Sequence, residues 1–99
     1  MEYFNPLDKF YKSQIGAVSA EKEITFRVKG DFNSVVFVLN KDGENTSTYH
    51  LMVKNKDCFE CSIKFERGLY FYYFYLDDNK YLGLSSEYLG IITDKPNPF

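Results

Sequence analysis

The chain has 99 residues, the length of one ordinary domain with a single hydrophobic core. Its formal net charge of -2 and its lack of a lysine and arginine cluster argue against binding to nucleic acid or to an anionic membrane. The longest apolar run, 69–76, is far shorter than the roughly 20 residues that span a bilayer. The sequence therefore predicts a globular domain without a membrane span.

The start of the chain lacks the pattern of a secretory signal. Residues 1–6 contain no basic flank followed by an apolar stretch. With Met1 as the native start, this predicts a cytoplasmic protein.

Aromatic residues make up 19% of the chain, with ten Phe, nine Tyr and no Trp. Phe and Tyr favour strands because their rings pack well on a pleated surface. In the first clear segment, 23–29, Ile24, Phe26 and Val28 alternate with polar residues, which predicts a strand with one buried and one solvated face. The composition and this pattern both indicate an all-β protein.

Further segments of this kind follow at intervals of about ten residues, separated by turn residues such as Gly43. The predicted strands are 23–29, 34–40, 48–54, 58–66, 69–77, 81–84 and 88–93. Short strands at this spacing are typical of a sandwich, so we expect an immunoglobulin-like antiparallel β-sandwich of about seven strands.

Three regions follow from this assignment. Residues 1–14 are predicted to form an extended N-terminal segment, because Asn5 precedes a proline and such residues avoid the α region. Residues 15–93 form the sandwich domain. Residues 94–99, with two prolines, are predicted to be a linker.

One face of each strand supplies the predicted core. Its members are Ile24, Phe26, Val28, Val35, Phe37, Leu39, Leu51, Val53, Phe59, Ile63, Phe65, Tyr70, Tyr72, Phe74 and Leu76. At about 1.5–3 kcal/mol for each large side chain buried, this set suffices for a domain without disulfides.

No set of residues predicts catalysis, a metal site or a cofactor. Cys58 and Cys61 have CxxC spacing, but a zinc site needs a second ligand pair, and His50 is the only histidine. Three positions apart on a strand, the two thiols point to opposite faces, which predicts Cys61 in the core and Cys58 on the surface. His50 is expected to be a solvated strand residue, and Asp77-Asp78 to be turn residues.

The informative feature is the strand 69–77. If Tyr72 and Phe74 point inward with their alternate neighbours, then Phe71, Tyr73 and Tyr75 point outward. The neighbouring strands add further outward apolar side chains; those assigned to this surface are Val36 and Val38, with Met52 beside them.

Aromatic side chains bury about 150–250 Å² each, so the three rings alone expose several hundred Å². Three explanations are open for such a patch: an interface with another domain, a platform on which glucose units stack, or coverage by the N-terminal segment. The absence of Trp weighs against the sugar platform, since Trp offers the broadest stacking face.

The order of several motifs resembles the N-terminal domains of bacterial α-amylase-superfamily glycosidases of the neopullulanase, cyclomaltodextrinase and pullulanase types. The motifs are Asn5-Pro6-Leu7-Asp8, Phe10-Tyr11-Lys12-Ser13, Gly16-Ala17-Val18, Gly68-Leu69-Tyr70-Phe71-Tyr72-Tyr73-Phe74 and Lys95-Pro96-Asn97-Pro98-Phe99. They span nearly the whole chain in the expected order.

The resemblance implies an early-set, immunoglobulin-like domain packed against the catalytic barrel of the same polypeptide, with 94–99 leading toward that barrel. Such a barrel hydrolyses α-1,4 or α-1,6 glucosidic bonds and needs at least about 200 residues, so its catalytic residues map onto no position here. The chain is therefore expected to be a non-catalytic accessory domain of a glycoside hydrolase, not itself an enzyme. The alternative is an autonomous carbohydrate-binding module for maltooligosaccharide or starch. A third possibility is a generic adhesion or scaffold domain with a protein partner.

Overall fold

The computed structural model describes residues 3–13, 23–41, 43, 46–65, 70–77, 80–84, 90–93 and 98. The strands are β1 Glu23–Lys29, β2 Val35–Lys41, β3 Thr48–Leu51, β4 Val53–Asn55, β5 Cys58–Lys64, β6 Tyr70–Leu76, β7 Lys80–Leu84 and β8 Gly90–Thr93. Within these described ranges no helix is long and apolar enough to cross a membrane.

The strands form two antiparallel sheets, one of three strands in the order β1-β5-β4 and one of five in the order β3-β2-β6-β7-β8. β1 pairs with β5, and the strands that follow them, β2 and β6, pair in the other sheet. This exchange of partners between two sheets is the arrangement of the immunoglobulin fold. The predicted all-β sandwich is confirmed.

The predicted strand 48–54 is two strands in two different sheets. β3 pairs with β2 and β4 pairs with β5, and between them the buried Met52 donates a backbone hydrogen bond to Val35 O at 2.9 Å. Because this residue interrupts the alternation, the residues on either side turn outward. Leu51 and Val53, predicted in the core, are 70% and 68% exposed, and Met52, predicted outside, takes their place.

The rest of the predicted core is confirmed. The buried members are Ile24, Phe26, Val28, Val35, Phe37, Leu39, Phe59, Phe65, Tyr72, Phe74 and Leu76, with Ile63 and Tyr70 partly buried against them. The sheets meet through rings: the centroids of Phe26 and Phe37 lie 4.5 Å apart, and those of Phe37 and Tyr72 5.5 Å apart. Stacked and edge-on rings add attraction beyond their buried area.

The N-terminal segment completes this core. Lys29 N donates to Tyr3 O at 2.9 Å and Arg27 N to Tyr11 O at 2.7 Å, so the segment lies along β1. Turns between Asn5 and Tyr11 shorten it, a departure from the extended course predicted for 1–14. The segment delivers Phe4 into the interior, where its centroid lies 4.8 Å from that of Phe74.

Asp77 ties two loops together at one end of the sandwich. Its carboxylate accepts hydrogen bonds from the backbone N–H groups of Asn33 at 2.7 Å and Ser34 at 2.8 Å. These bonds hold Asp77 at a φ of 45°, in the left-handed region that most side chains avoid. Asp77 is thus a turn residue, as predicted, while Asp78 lies outside the described residues.

We expect Phe4→Ala to lower the free energy of unfolding by about 3–5 kcal/mol, because it leaves a cavity between the sheets. The matched control is Phe10→Ala, since Phe10 belongs to the same segment but is half exposed. The control substitution removes mainly the contacts of the Phe10 ring with two cations. Arg27 and Lys29 lie 5.3 and 4.7 Å from the ring centroid, and each contact contributes about 1 kcal/mol. Urea denaturation measures both; equal losses would show that the segment does not anchor the core through Phe4.

Candidate functional site on the outer face of the five-stranded sheet

The outward side chains of β2, β3, β6 and Tyr81 of β7 form one surface, which we call the aromatic face. Directly paired residues of antiparallel strands lie on the same side of a sheet, and Val36 pairs with both Leu51 and Tyr75. By the same registers Val38 lies between Tyr49 and Tyr73. The aromatic face consists of Val36, Val38, Asn40, Tyr49, Leu51, Phe71, Tyr73, Tyr75 and Tyr81.

All five residues predicted for this site lie together on the aromatic face. Phe71 is 40% exposed, and Val36, Tyr73 and Tyr75 are partly buried. Val38 faces outward as predicted but is only 1% exposed, because tyrosines surround it. Val38 is therefore the floor of the surface and not one of its exposed contacts.

The rings around Val38 enclose a groove, which we call the tyrosine groove. It has a volume of about 200 Å³ and its walls are Tyr49, Tyr73, Tyr75 and Tyr81. The centroid of Tyr81 lies 5.7 Å from that of Tyr73 and 5.3 Å from that of Tyr75. Burial, followed by the neighbouring phenols of Tyr49 and Tyr81, raises the pKa of Tyr73.

The sequence interpretation missed three members of this surface. The predicted core includes Leu51, and the predicted surface includes neither Tyr49 nor Tyr81. Tyr49 is 69% exposed, and together with Leu51 it is among the most exposed apolar side chains of the described chain. The available signal was Met52, an apolar residue out of phase with its neighbours.

The outer face of the three-stranded sheet is polar. Its residues are Glu23, Thr25, Arg27, Lys29, Val53, Asn55, Cys58, Glu60, Ser62 and Lys64. Arg27 Nε donates to Glu60 Oε2 at 3.1 Å, and the hydrogen bond from Asn55, with that from Arg27, lowers the pKa of Glu60. The two outer faces therefore differ sharply: the described positions of the aromatic face carry no charged side chain.

Coverage of the patch by the N-terminal segment was one of the predicted alternatives. The described part of that segment, 3–13, is hydrogen-bonded to β1 in the three-stranded sheet and sends Phe4 inward. None of its residues lines the tyrosine groove. For the described residues 3–13 this alternative is therefore wrong, because they lie along the other sheet.

Other candidate chemistry does not assemble into a site. Among the described residues, no three His, Cys, Asp or Glu side chains gather as metal ligands. His50, predicted to be solvated, is partly buried, with its ring centroid 6.2 Å from that of Phe37 and Nε2 3.2 Å from Thr48 Oγ1. Its strand position places it opposite Phe37, on the inner side of the sheet.

The two thiols point to opposite faces of β5, as predicted, and both are free. Cys61 faces inward opposite Phe26, and burial raises its pKa to about 12. Cys58, predicted on the surface, is buried instead; its Sγ–H donates to Asn55 O at 3.4 Å across the β4–β5 turn. Burial is also the main reason that the pKa of Cys58 is raised.

Alkaline pH should destabilise the fold. An unfolded cysteine ionises near pH 8.5, whereas the pKa of Cys61 in the fold is raised to about 12, so the stabilisation is complete below about pH 8.5 and is lost as the pH rises toward 12. Burial also raises the pKa of Tyr72, so this tyrosine adds to the loss of stability at alkaline pH. Urea midpoints measured between about pH 7 and 10.5 should fall, and Cys61→Ala should reduce the fall; an unchanged midpoint would contradict the burial of these groups.

Comparison with family models, with curated proteins and with solved structures found no match to this chain. A function can therefore be inferred only from the site itself. That site is a neutral surface of rings and aliphatic side chains with a groove at its centre, on a sheet whose inner face is already packed. Such a surface can bind a partner or a ligand.

Proposed function

We propose that the chain is a non-catalytic accessory domain that packs through the aromatic face against a catalytic barrel of the same polypeptide. The barrel is that of an α-glucan-hydrolysing glycosidase, as the sequence resemblance implies. The single observation that carries the proposal is the contrast between the two outer faces, one charged and one apolar and aromatic. The largest apolar patch on a typical monomer has about 300–600 Å² and is often the surface that serves its function.

The exposed area is large enough to matter energetically. An aromatic side chain presents about 150–250 Å², so Tyr49 at 69% exposure leaves roughly 100–170 Å² to be covered. With Leu51, Phe71 and the partly buried tyrosines, a neighbour would cover roughly 400 Å². At about 25 cal/mol per Å² this offers about 10 kcal/mol before the cost of ordering, and a covalent link to the neighbour reduces that cost.

The residue types also fit an interface. Tyr and Phe are enriched at the centres of protein interfaces, whereas Lys, Glu and Asp are depleted there. Tyrosines offer an apolar ring to the contact and a hydroxyl to its rim. The rings would contact the apolar parts of a barrel surface, and the hydroxyls would contact its polar parts.

The double substitution Tyr73→Ser and Tyr75→Ser tests the proposal in the intact polypeptide. We expect a lower melting temperature or a lower α-glucan hydrolysis rate, because the contact with the barrel is lost. The 99-residue chain carrying the same changes should stay folded, since both side chains point away from its core.

The matched control is Glu23→Ala with Lys64→Ala, two exposed and directly paired residues on the polar outer face of the other sheet. It should leave the intact polypeptide unchanged. Behaviour of the double tyrosine variant that is indistinguishable from wild type would rule out the aromatic face as the contact.

A second candidate is a carbohydrate-binding module, and the tyrosine groove is the observation that favours it. Phenol rings stack on the apolar faces of glucose units, and their hydroxyls donate to and accept from sugar hydroxyls. Tyr49, Tyr73, Tyr75 and Tyr81 supply four such rings around one groove. The ligand would be a maltooligosaccharide.

Titration of the 99-residue chain with maltoheptaose separates the two candidates. Saturable NMR shifts of the groove tyrosines at about millimolar ligand would support the module. A Tyr49→Ser variant should then lose the shifts, while Phe10→Ser, which removes a half-exposed ring elsewhere, should keep them. Unchanged spectra across the titration would leave packing against the barrel as the function of the face.

A further inference from the structure

The aromatic face carries a projecting side chain close to its groove. Leu51 is 70% exposed at the edge strand β3, and it pairs with Val36. Tyr49, the next outward residue on the same strand, is a wall of the tyrosine groove. The projection and the depression are thus about 7 Å apart along the strand.

The groove is large enough for the side chain that projects beside it. An apolar cavity of about 150 Å³ holds a benzene molecule. The tyrosine groove has about 200 Å³ and a floor made by Val38, so the four side-chain carbons of a leucine fit into it.

This juxtaposition has the form that a two-fold contact requires. In such a contact one patch holds both complementary features, so that each copy gives and receives the same contact. A two-fold axis passing between Leu51 and Val38 would place each Leu51 in the groove of the other copy. Since the described positions of the face carry no charge, pairing with itself brings no like charges together.

The dimensions of the face set the expected strength. The four strands β3, β2, β6 and β7 that carry the face are about 19 Å wide at about 4.8 Å spacing, and the seven residues of β6 are about 23 Å long. The resulting surface of roughly 400 Å² is smaller than the about 800 Å² per partner of a stable complex. A weak dimer that forms with rising concentration is the expected state.

We propose that the 99-residue chain, when no barrel occupies its aromatic face, pairs with a second copy in which each Leu51 fills the partner's tyrosine groove. The inference rests on the proposed function only in treating the face as an interface, and it names a second, competing occupant. Because the 99-residue chain has its own packed hydrophobic core, the test can be made on this chain alone.

Sedimentation equilibrium from about 10 µM to about 1 mM measures the association. We expect the mass to rise toward that of a dimer, and Leu51→Ser to weaken the association at least roughly tenfold, because a serine side chain is too small and too polar to fill the groove. The matched control is Val53→Ser: Val53 is 68% exposed, two residues away, but on the outer face of the other sheet. It should associate like wild type.

Isotope-filtered NMR on a mixture of labelled and unlabelled chains should show intermolecular contacts from the Leu51 methyls to the Tyr73 and Tyr81 rings. A monomer at every concentration, a dimer that Leu51→Ser leaves intact, or equal losses in both serine variants would each overturn the inference. Any of these failures leaves the packing on the barrel standing, because that is tested by Tyr73 and Tyr75 in the intact polypeptide. Conversely, the chain could dimerise through Leu51 while the double tyrosine variant leaves the intact polypeptide unchanged. That result would rule out only the contact with the barrel.

Discussion

Phe26 of β1 and Phe37 of β2, whose centroids are 4.5 Å apart, join the two sheets, and Tyr72, Phe74 and Phe4 extend the contact on the β6 side. Once these rings fill the interior, the face of the sheet on which each side chain of β6 lies is fixed. Its inner positions are taken by Tyr72, Phe74 and Leu76, so the rings between them must stand on the outer face. The surface that could serve a partner is thus a direct consequence of how the core is filled.

The same constraint explains which parts of the fold the sequence could predict. Alternation is uninterrupted in β1 and β6, and their boundaries and faces agree with the prediction to within one residue at each end. In 48–55 the chain changes sheets at Met52, and a pattern of period two cannot show where the partner strand changes. Leu51 and Val53 were placed inside for this reason.

Burial that depends on contacts outside a regular strand was also beyond the sequence. Phe4 is fully buried where the N-terminal segment bonds to β1, and Cys58 is buried where its thiol meets Asn55 O across the β4–β5 turn. At the site, strand alternation predicted the direction of all five residues. It could not predict that Val38 would be covered, since the covering rings of Tyr49 and Tyr81 come from other strands.

Some tyrosine rings of the five-stranded sheet are sealed inside the protein, while others on its opposite side reach solvent. The proposed interface depends on this division. Photo-CIDNP NMR measures this directly, because a dissolved dye polarises only the tyrosine rings that it can touch. In a dilute sample of the 99-residue chain, Tyr49 should give a strong signal and Tyr72 none, matching their 69% and 8% exposure. A silent Tyr49, or a Tyr72 polarised as strongly as Tyr49, would contradict the division between a filled interior and an open aromatic face.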